Sequence, residues 1–397
     1  MSFIKAHWLL CLCLFAFGAL PRPVLGQSAA DPKATKRTQA LFQNLRTVAT
    51  DHILFGHQDD LAYGVFWKSE ARRSDVQESC GFYPALFGWD LGQQFGQNRI
   101  YNIDSVNYAE MRRMIQFAYQ LGSVNTISWH LDNLASGGNS WDTTTAVRHL
   151  LPGGKDHDKL VVQLDQLAEF FKSLRAGSMF KQRIPIIFRP WHEHTGGWFW
   201  WGAKSCTPEE YKHLWHFTVD YLRSKGVHNV LYAYSPDFFQ DEAEYMRNYP
   251  GDDYVDVFGL DYYYRPGNVE TIVTDLPQKL AIMTRLAEEH HKIAAFTETG
   301  FEAIPDENWW TKKFLAQIRD ANLAYVMLWR NANQGSKANH YYVPYPGHIS
   351  CQDFIQFSRD KRVLFQDRLP KLYKRPKGTV VKSNPAPQTP VETVKTK

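Results

Sequence analysis

Ile184-Pro185-Ile186-Ile187-Phe188-Arg189-Pro190-Trp191-His192-Glu193-His194-Thr195-Gly196-Gly197-Trp198-Phe199-Trp200-Trp201-Gly202 opens as a short apolar run rich in β-branched residues. Such a run reads as a strand buried on both faces. It then delivers an Arg, two His and a Glu at its carboxyl end, followed by a Gly-Gly break and three tryptophans. An ionisable cluster beside an aromatic wall suits sugar chemistry: a carboxylate moves protons while indole faces stack on pyranose rings. The plainer alternative is a buried strand ending in a structural ion pair, with the tryptophans as core filler. Core strands rarely end in so much polar and aromatic material, which weighs against it.

A second segment, Lys292-Ile293-Ala294-Ala295-Phe296-Thr297-Glu298-Thr299-Gly300, is another apolar strand that ends in a Glu and a Gly. Two glutamates at the ends of separate buried strands are the minimum equipment for hydrolysing a glycosidic bond. One must hold a proton near neutral pH, and the other must be ionised to attack the anomeric carbon.

Working outward, strands are expected at His52–Gly56, Pro84–Trp89, Ser123–Trp129, Ile184–Arg189, Asn229–Tyr234, Val255–Leu260, Lys292–Phe296 and Leu323–Trp329. Helical patterns fall between them. Val106–Leu121 and Leu160–Leu174 carry apolar residues at helical spacing, and Thr207-Pro208-Glu209-Glu210 reads as an N-cap with Pro at N1 and Glu at N3, opening a helix to about Ser224. Eight βα units point to a single closed (β/α)8 TIM barrel, an α/β fold, rather than an open sheet. Polar residues follow every strand: His57, Asp90, His130 with Asp132, His192-Glu193-His194, Asp237, Asp261-Tyr262-Tyr263, Glu298 and Trp329-Arg330. In a barrel these positions converge on one face, where active sites of this fold lie.

The 397 residues carry a formal charge of +4 and 15% aromatic residues. That charge resides at the ends. Residues 371–397 hold seven Lys/Arg against one Glu, and Lys5 and Arg22 precede the barrel, so the body carries 36 basic against 40 acidic residues. A body of that sign gives no electrostatic case for nucleic acid or an anionic membrane. Residues 1–26 read as a signal peptide: Lys5 and His7 precede an apolar stretch from Trp8 to Leu20, with Val24-Leu25-Gly26 before Gln27. A secreted or periplasmic location is therefore expected, without membrane insertion after cleavage. The barrel is expected over 27–373 and a disordered tail over 374–397, where Lys, Pro and Gly replace residues able to pack. Cys80, Cys206 and Cys351 remain in the mature chain; one pair could close a disulfide, but no CxxC spacing suggests zinc.

Over roughly residues 40–365 the sequence resembles glycoside hydrolase family 26, whose best-known members are retaining β-mannanases of clan A. The resemblance rests on Arg189-Pro190-Trp191-His192-Glu193 with Trp198, and on Thr297-Glu298-Thr299-Gly300 three strands later. It implies Glu193 as general acid/base and Glu298 as nucleophile. His192 is implied near the nucleophile or the sugar 2-hydroxyl, Tyr263 as a contact that keeps Glu298 ionised, and Asp261 as a member of that network. Trp329 would floor the −1 subsite with His130 close by, Trp198 would stack on the +1 sugar, and Arg330 would reach the −2 sugar. His57, Trp89, Asp90 and Asp132 would line the groove or support it. The activity implied is a retaining endo-β-1,4-mannanase acting on mannan polysaccharide or manno-oligosaccharides, as a monomer without cofactor or metal. Exo-acting mannobiohydrolase, β-glucanase and β-1,3-xylanase activities occupy the same family frame. A metal-dependent hydrolase built on His57, His130, His192 and His194 leaves the tryptophans unexplained. A non-catalytic glycan-binding barrel leaves two catalytic carboxylates unexplained.

Overall fold

The computed structural model describes residues 28–93, 99–177, 182–332 and 338–376. The expected signal peptide and almost all of the expected tail lie outside them. Eight strands alternate with helices: β1 (Ile53–Gln58), β2 (Leu86–Asp90), β3 (Val124–Ser128), β4 (Ile186–Arg189), β5 (Val230–Tyr234), β6 (Val257–Asp261), β7 (Ile293–Thr299) and β8 (Tyr325–Leu328). Every neighbouring pair is parallel, and β8 pairs with β1 from Leu54↔Tyr325 to His57↔Leu328, which closes the barrel. All eight expected strands are present, displaced by three residues or fewer at their ends.

Period-two alternation sorts the strand residues into two cores. Leu54, Leu86, Val124, Ile187, Leu231, Val257, Ile293 and Tyr325 pack inside the barrel. Their neighbours Phe55, Phe87, Ile127, Phe188, Tyr232, Phe258 and Phe296 pack outward under the helices. Helix α1 (Lys36–Asp51) adds Leu41, Phe42 and Leu45 to the inner core and thereby plugs one end of the barrel. Thr207 begins the helix Pro208–Ser224 with a complete capping box, as its sequence indicates. No helix among the described residues is long and apolar enough to cross a membrane.

The same alternation fixes which side chains reach the open end. Gln58, Asp90, Ser128, Arg189, Ser235 and Asp261 share the inward parity of the apolar residues two or four positions earlier. Glu298 does not: it has the parity of Ala294 and Phe296, which face the helices. The register resolves this. Leu260 faces Phe296 but Asp261 faces Glu298, and on the other side Phe296 faces Val326 but Thr299 faces Leu328. One extra residue in β7 is a bulge, and it turns Glu298 back into the barrel mouth.

Candidate active site

Glu193 lies just beyond β4. Trp191 and Glu193 both adopt left-handed backbone angles, φ 50° and 53°. Each costs a non-glycine residue about 1–3 kcal/mol and persists only when its surroundings over-determine it. Here they do. The Glu193 N–H donates to the Ser235 carbonyl at 2.8 Å, and the Gly196 N–H donates to the Glu193 carbonyl at 3.1 Å. The fully buried Trp191 donates its Nε1–H to Thr218 at 3.2 Å, and the Tyr211 hydroxyl donates to its carbonyl at 2.9 Å.

Across the mouth, Glu298 accepts from the Tyr263 hydroxyl at 2.6 Å and from the Arg189 guanidinium. Arg189 also grips Asp261, whose other oxygen accepts from Thr297 Oγ1 at 2.6 Å. One carboxylate oxygen each from Glu193, Asp261 and Glu298 lie within 4.8 Å of one another. Three carboxylates so close resemble a metal-binding set, but the cation bonded to two of them is Arg189. Burial, then the charges of Glu298, Asp261 and Asp237, push the Glu193 carboxyl well above the usual carboxylate range. Trp198 Nε1–H donates to Glu193 Oε2 at 2.9 Å.

The two glutamates therefore differ in environment. Glu298 is held by two donors that suit an anion, one of them cationic. Glu193 is desolvated among like charges, with an indole N–H as its side-chain partner, which suits a proton carrier.

A polar chain runs beside them. Asp90 Oδ2 meets His130 Nδ1 at 2.7 Å, and His130 Nε2 meets His192 Nε2 at 3.2 Å. The Asp90 carboxylate accepts from His130 Nδ1–H and so fixes the orientation of that ring against His192. His192 Nδ1 is buried without a protein hydrogen-bond partner. Burial, aided by the Arg189 charge, holds His192 well below the usual imidazole range, so the ring is neutral. Burial alone would raise Asp90, but the His130 pairing with Ser128 and Gly92 wins and lowers it.

Several expected placements need correction. His192 makes no hydrogen bond to Glu298; Arg189, to which the sequence reading gives no role, supplies that second donor. Its signal was its parity with Ile187 on the inward face of β4. Trp89 does not line the groove: it shares the helix-facing parity of Phe87, is fully buried, and donates to Asn125 at 2.9 Å. His57 likewise shares the outward parity of Phe55 and pairs with Asp60 at 2.7 Å. Of the tryptophan wall, Trp200 and Trp201 are fully buried and only Trp198, 38% exposed, can stack on a ligand. His194 sits against Tyr211 and Tyr234, its pKa pushed down to about 3 by burial. The four histidines of the metal alternative thus do not converge. Among the described residues, Cys80, Cys206 and Cys351 are free thiols, and no pair of them closes a disulfide.

Other expected residues do lie at the mouth. Trp329 directly follows β8, beside Arg330, whose guanidinium pairs with Asp104 and contacts the Tyr63 hydroxyl at 3.3 Å. Tyr63 in turn donates to Asp59 at 2.6 Å. Asp132 is bonded to Arg99 at 3.3 Å. An aromatic residue the sequence reading passed over, Trp141, is 47% exposed and stacks on His130 at 5.4 Å. Its loop after β3 is braced by Asn133, which donates to the carbonyls of Asp142 and Thr144.

Known proteins resemble this chain in sequence and in fold. The model of glycosyl hydrolase family 26 matches residues 30–341. A mannan endo-1,4-β-mannosidase of Bifidobacterium adolescentis is 34% identical over 366 residues, covering 85% of this chain; the chain spans only 35% of that relative's length. One from Bacillus subtilis is 27% identical, with 65% of this chain and 72% of the relative covered. Among solved structures, a β-mannanase of that family from Bacteroides ovatus superposes with a TM-score of 0.82 at 44% identity, over 86% of this chain and 98% of its own. A modular endo-β-1,4-mannanase from Cellulomonas fimi gives 0.78 at 36% identity, over 89% and 80%.

Proposed function

Since the chain belongs to glycosyl hydrolase family 26, we propose that it is a retaining endo-β-1,4-mannanase, cleaving mannan within the chain by double displacement. The observation that carries this reading is the approach of Glu193 and Glu298, whose carboxylate oxygens lie within 4.8 Å of each other. Retaining glycosidases hold their two carboxyls about 5–5.5 Å apart, whereas inverting ones need about 6.5–9.5 Å to admit a water.

Glu298 attacks the anomeric carbon while Glu193 donates its proton to the departing glycosidic oxygen. The bond from C1 to that oxygen breaks, and an ester forms between C1 and Glu298. Esterification removes the Glu298 charge, the largest like-charge influence on Glu193. Glu193 then becomes the more stable as an anion and takes the proton of the incoming water, whose oxygen displaces Glu298 with a second inversion. Arg189 and Tyr263 stabilise the Glu298 anion before attack and as it leaves.

The substrate reading is supported by the mannanase relatives and by the exposed Trp198 ring beside Glu193. We further place the mature protein outside the cytoplasm, on the strength of the Lys5-to-Gly26 segment. One experiment tests the reaction and the polymer together: proton NMR of the first product anomer formed from linear β-1,4-mannan, with barley β-glucan alongside. The β-anomer from mannan is expected. First release of the α-anomer overturns retention, and turnover of β-glucan with none of mannan overturns the substrate.

A further inference from the structure

The mechanism leaves unused an exposed aromatic ring on the loop after β5. Phe238 follows β5, and its ring is 45% exposed. A single surface phenylalanine is ordinary; what lies beneath this one is not. The ammonium of Lys279, whose side chain is almost fully buried, sits 4.3 Å from the Phe238 ring centre. It is held there by the Asp275 carboxylate at 3.1 Å and by the carbonyl of Phe239. Asp275 is itself fixed by the Tyr262 hydroxyl at 2.5 Å, next along the chain from Tyr263. Burying a charge under an exposed ring is costly unless the charge is paired, as it is here. The result is an exposed ring held against a fixed ammonium.

Its place relative to the reaction follows from the barrel. Glu193 protonates the oxygen of the departing sugar, so leaving-side sugars lie over the wall that carries Glu193 and Trp198. Arg330 and Tyr63 stand on the β8–β1 side, opposite β4–β5 in the ring of strands. The β5 loop is tied to the Glu193 loop: Thr195 Oγ1 donates to the Asp237 carboxylate, and the Asp237 N–H donates back to Thr195 at 3.1 Å. Phe238 is the next residue on this loop, whose Asp237 charge reaches the Glu193 carboxyl.

We propose that Phe238, pinned by Lys279, is the stacking platform for the second sugar on the leaving side, recognising the apolar face of a pyranose. This rests on the mannanase reading. The test uses mannohexaose labelled with ¹⁸O at its reducing end and early-time mass spectrometry to count cleavages that release two sugars against those that release one. That ratio is internal to one digest and does not depend on how much enzyme is folded. In Phe238→Ala it is expected to fall about fivefold, the low end of what one base–aromatic stack is worth in other systems, and Phe238→Tyr should restore it. A ratio within twofold of the wild type in an active Phe238→Ala overturns the platform alone. A wild type that cleaves no bond of mannohexaose overturns the mannanase reading, and this subsite with it.

Discussion

Glu298→Gln should lower the pKa of Glu193 even though it does not touch it. The substitution preserves size and leaves the Tyr263 hydroxyl an amide oxygen to donate to, while Arg189 keeps its pairing with Asp261. What it removes is one negative charge within 4.8 Å of the Glu193 carboxylate. Two unit charges at that separation interact by about 3.5 kcal/mol at an effective dielectric near 20, which corresponds to about 2.5 pKa units. Arg189 neutralises part of the Glu298 charge, so the fall should lie between about 1 and 2.5 units. Carbon-13 NMR titration of carboxyl-labelled glutamates reads this directly in both proteins, with Glu193→Gln identifying the resonance. No turnover is required, so the loss of activity in the variant does not matter. A shift of less than about half a unit would show that the two carboxyls are uncoupled. The alternation of Glu193 between acid and base would then lose its physical cause, because the glycosyl-enzyme ester cancels the same charge.

Glu193→Gln should stabilise the protein above pH 5 and lose that gain in acid. A carboxyl whose folded pKa is raised favours folding fully below its unfolded value, about 4.3, and loses that contribution as pH rises towards the folded value; calorimetry from pH 4 to 9 should show the variant's Tm advantage growing and then levelling, and a pH-independent difference refutes it. Tyr263→Phe removes a 2.6 Å donor to the Glu298 charge. Such bonds are worth about 1.5–3 kcal/mol, so kcat/KM should drop about 10- to 150-fold, and a loss under threefold would place the stabilisation of Glu298 on Arg189 alone. Trp198→Ala and Trp200→Ala should separate cleanly. Trp200 is fully buried and donates to the Leu131 carbonyl at 2.9 Å, so its loss should cost about 3–5 kcal/mol in urea unfolding. Trp198→Ala should change stability by less than about 1 kcal/mol and act on kcat/KM instead; equal destabilisation by both contradicts the burial assigned to them.

Much of this site was legible because buried parallel strands write themselves as apolar runs, and a barrel gathers whatever follows them onto one face. Glu193, Glu298, Tyr263 and Asp261 were found that way. What strand ends alone do not reveal is the direction of each side chain. Trp89 and His57 follow or end strands as prominently as Asp90 does, yet a one-residue difference in parity sends them under the helices while Asp90 faces the mouth. The same parity would have singled out Arg189 as a buried cation aimed at the site. The tryptophan run misled for another reason. Trp198 and its neighbours Trp200 and Trp201 are alike in composition, and a loop has no period from which to tell a platform from its foundation.

Glu298 marks where even parity fails. Strict alternation from Ala294 and Phe296 points it away from the barrel, and only the extra residue in β7 brings it back to Arg189 and Tyr263. Glu193 depends on a comparable departure, since it occupies a left-handed backbone angle that an ordinary strand-to-loop turn avoids. Neither irregularity stabilises the fold: a bulge interrupts the strand ladder, and the two positive φ angles store strain. Both instead bring two identical side chains within 4.8 Å of each other while giving them opposite surroundings. Glu298 turns towards a buried guanidinium, and Glu193 turns into a desolvated niche under an indole. The chemical difference between proton donor and nucleophile is therefore made by two local departures from regular backbone, each held in place by hydrogen bonds or packing from neighbouring strands and loops.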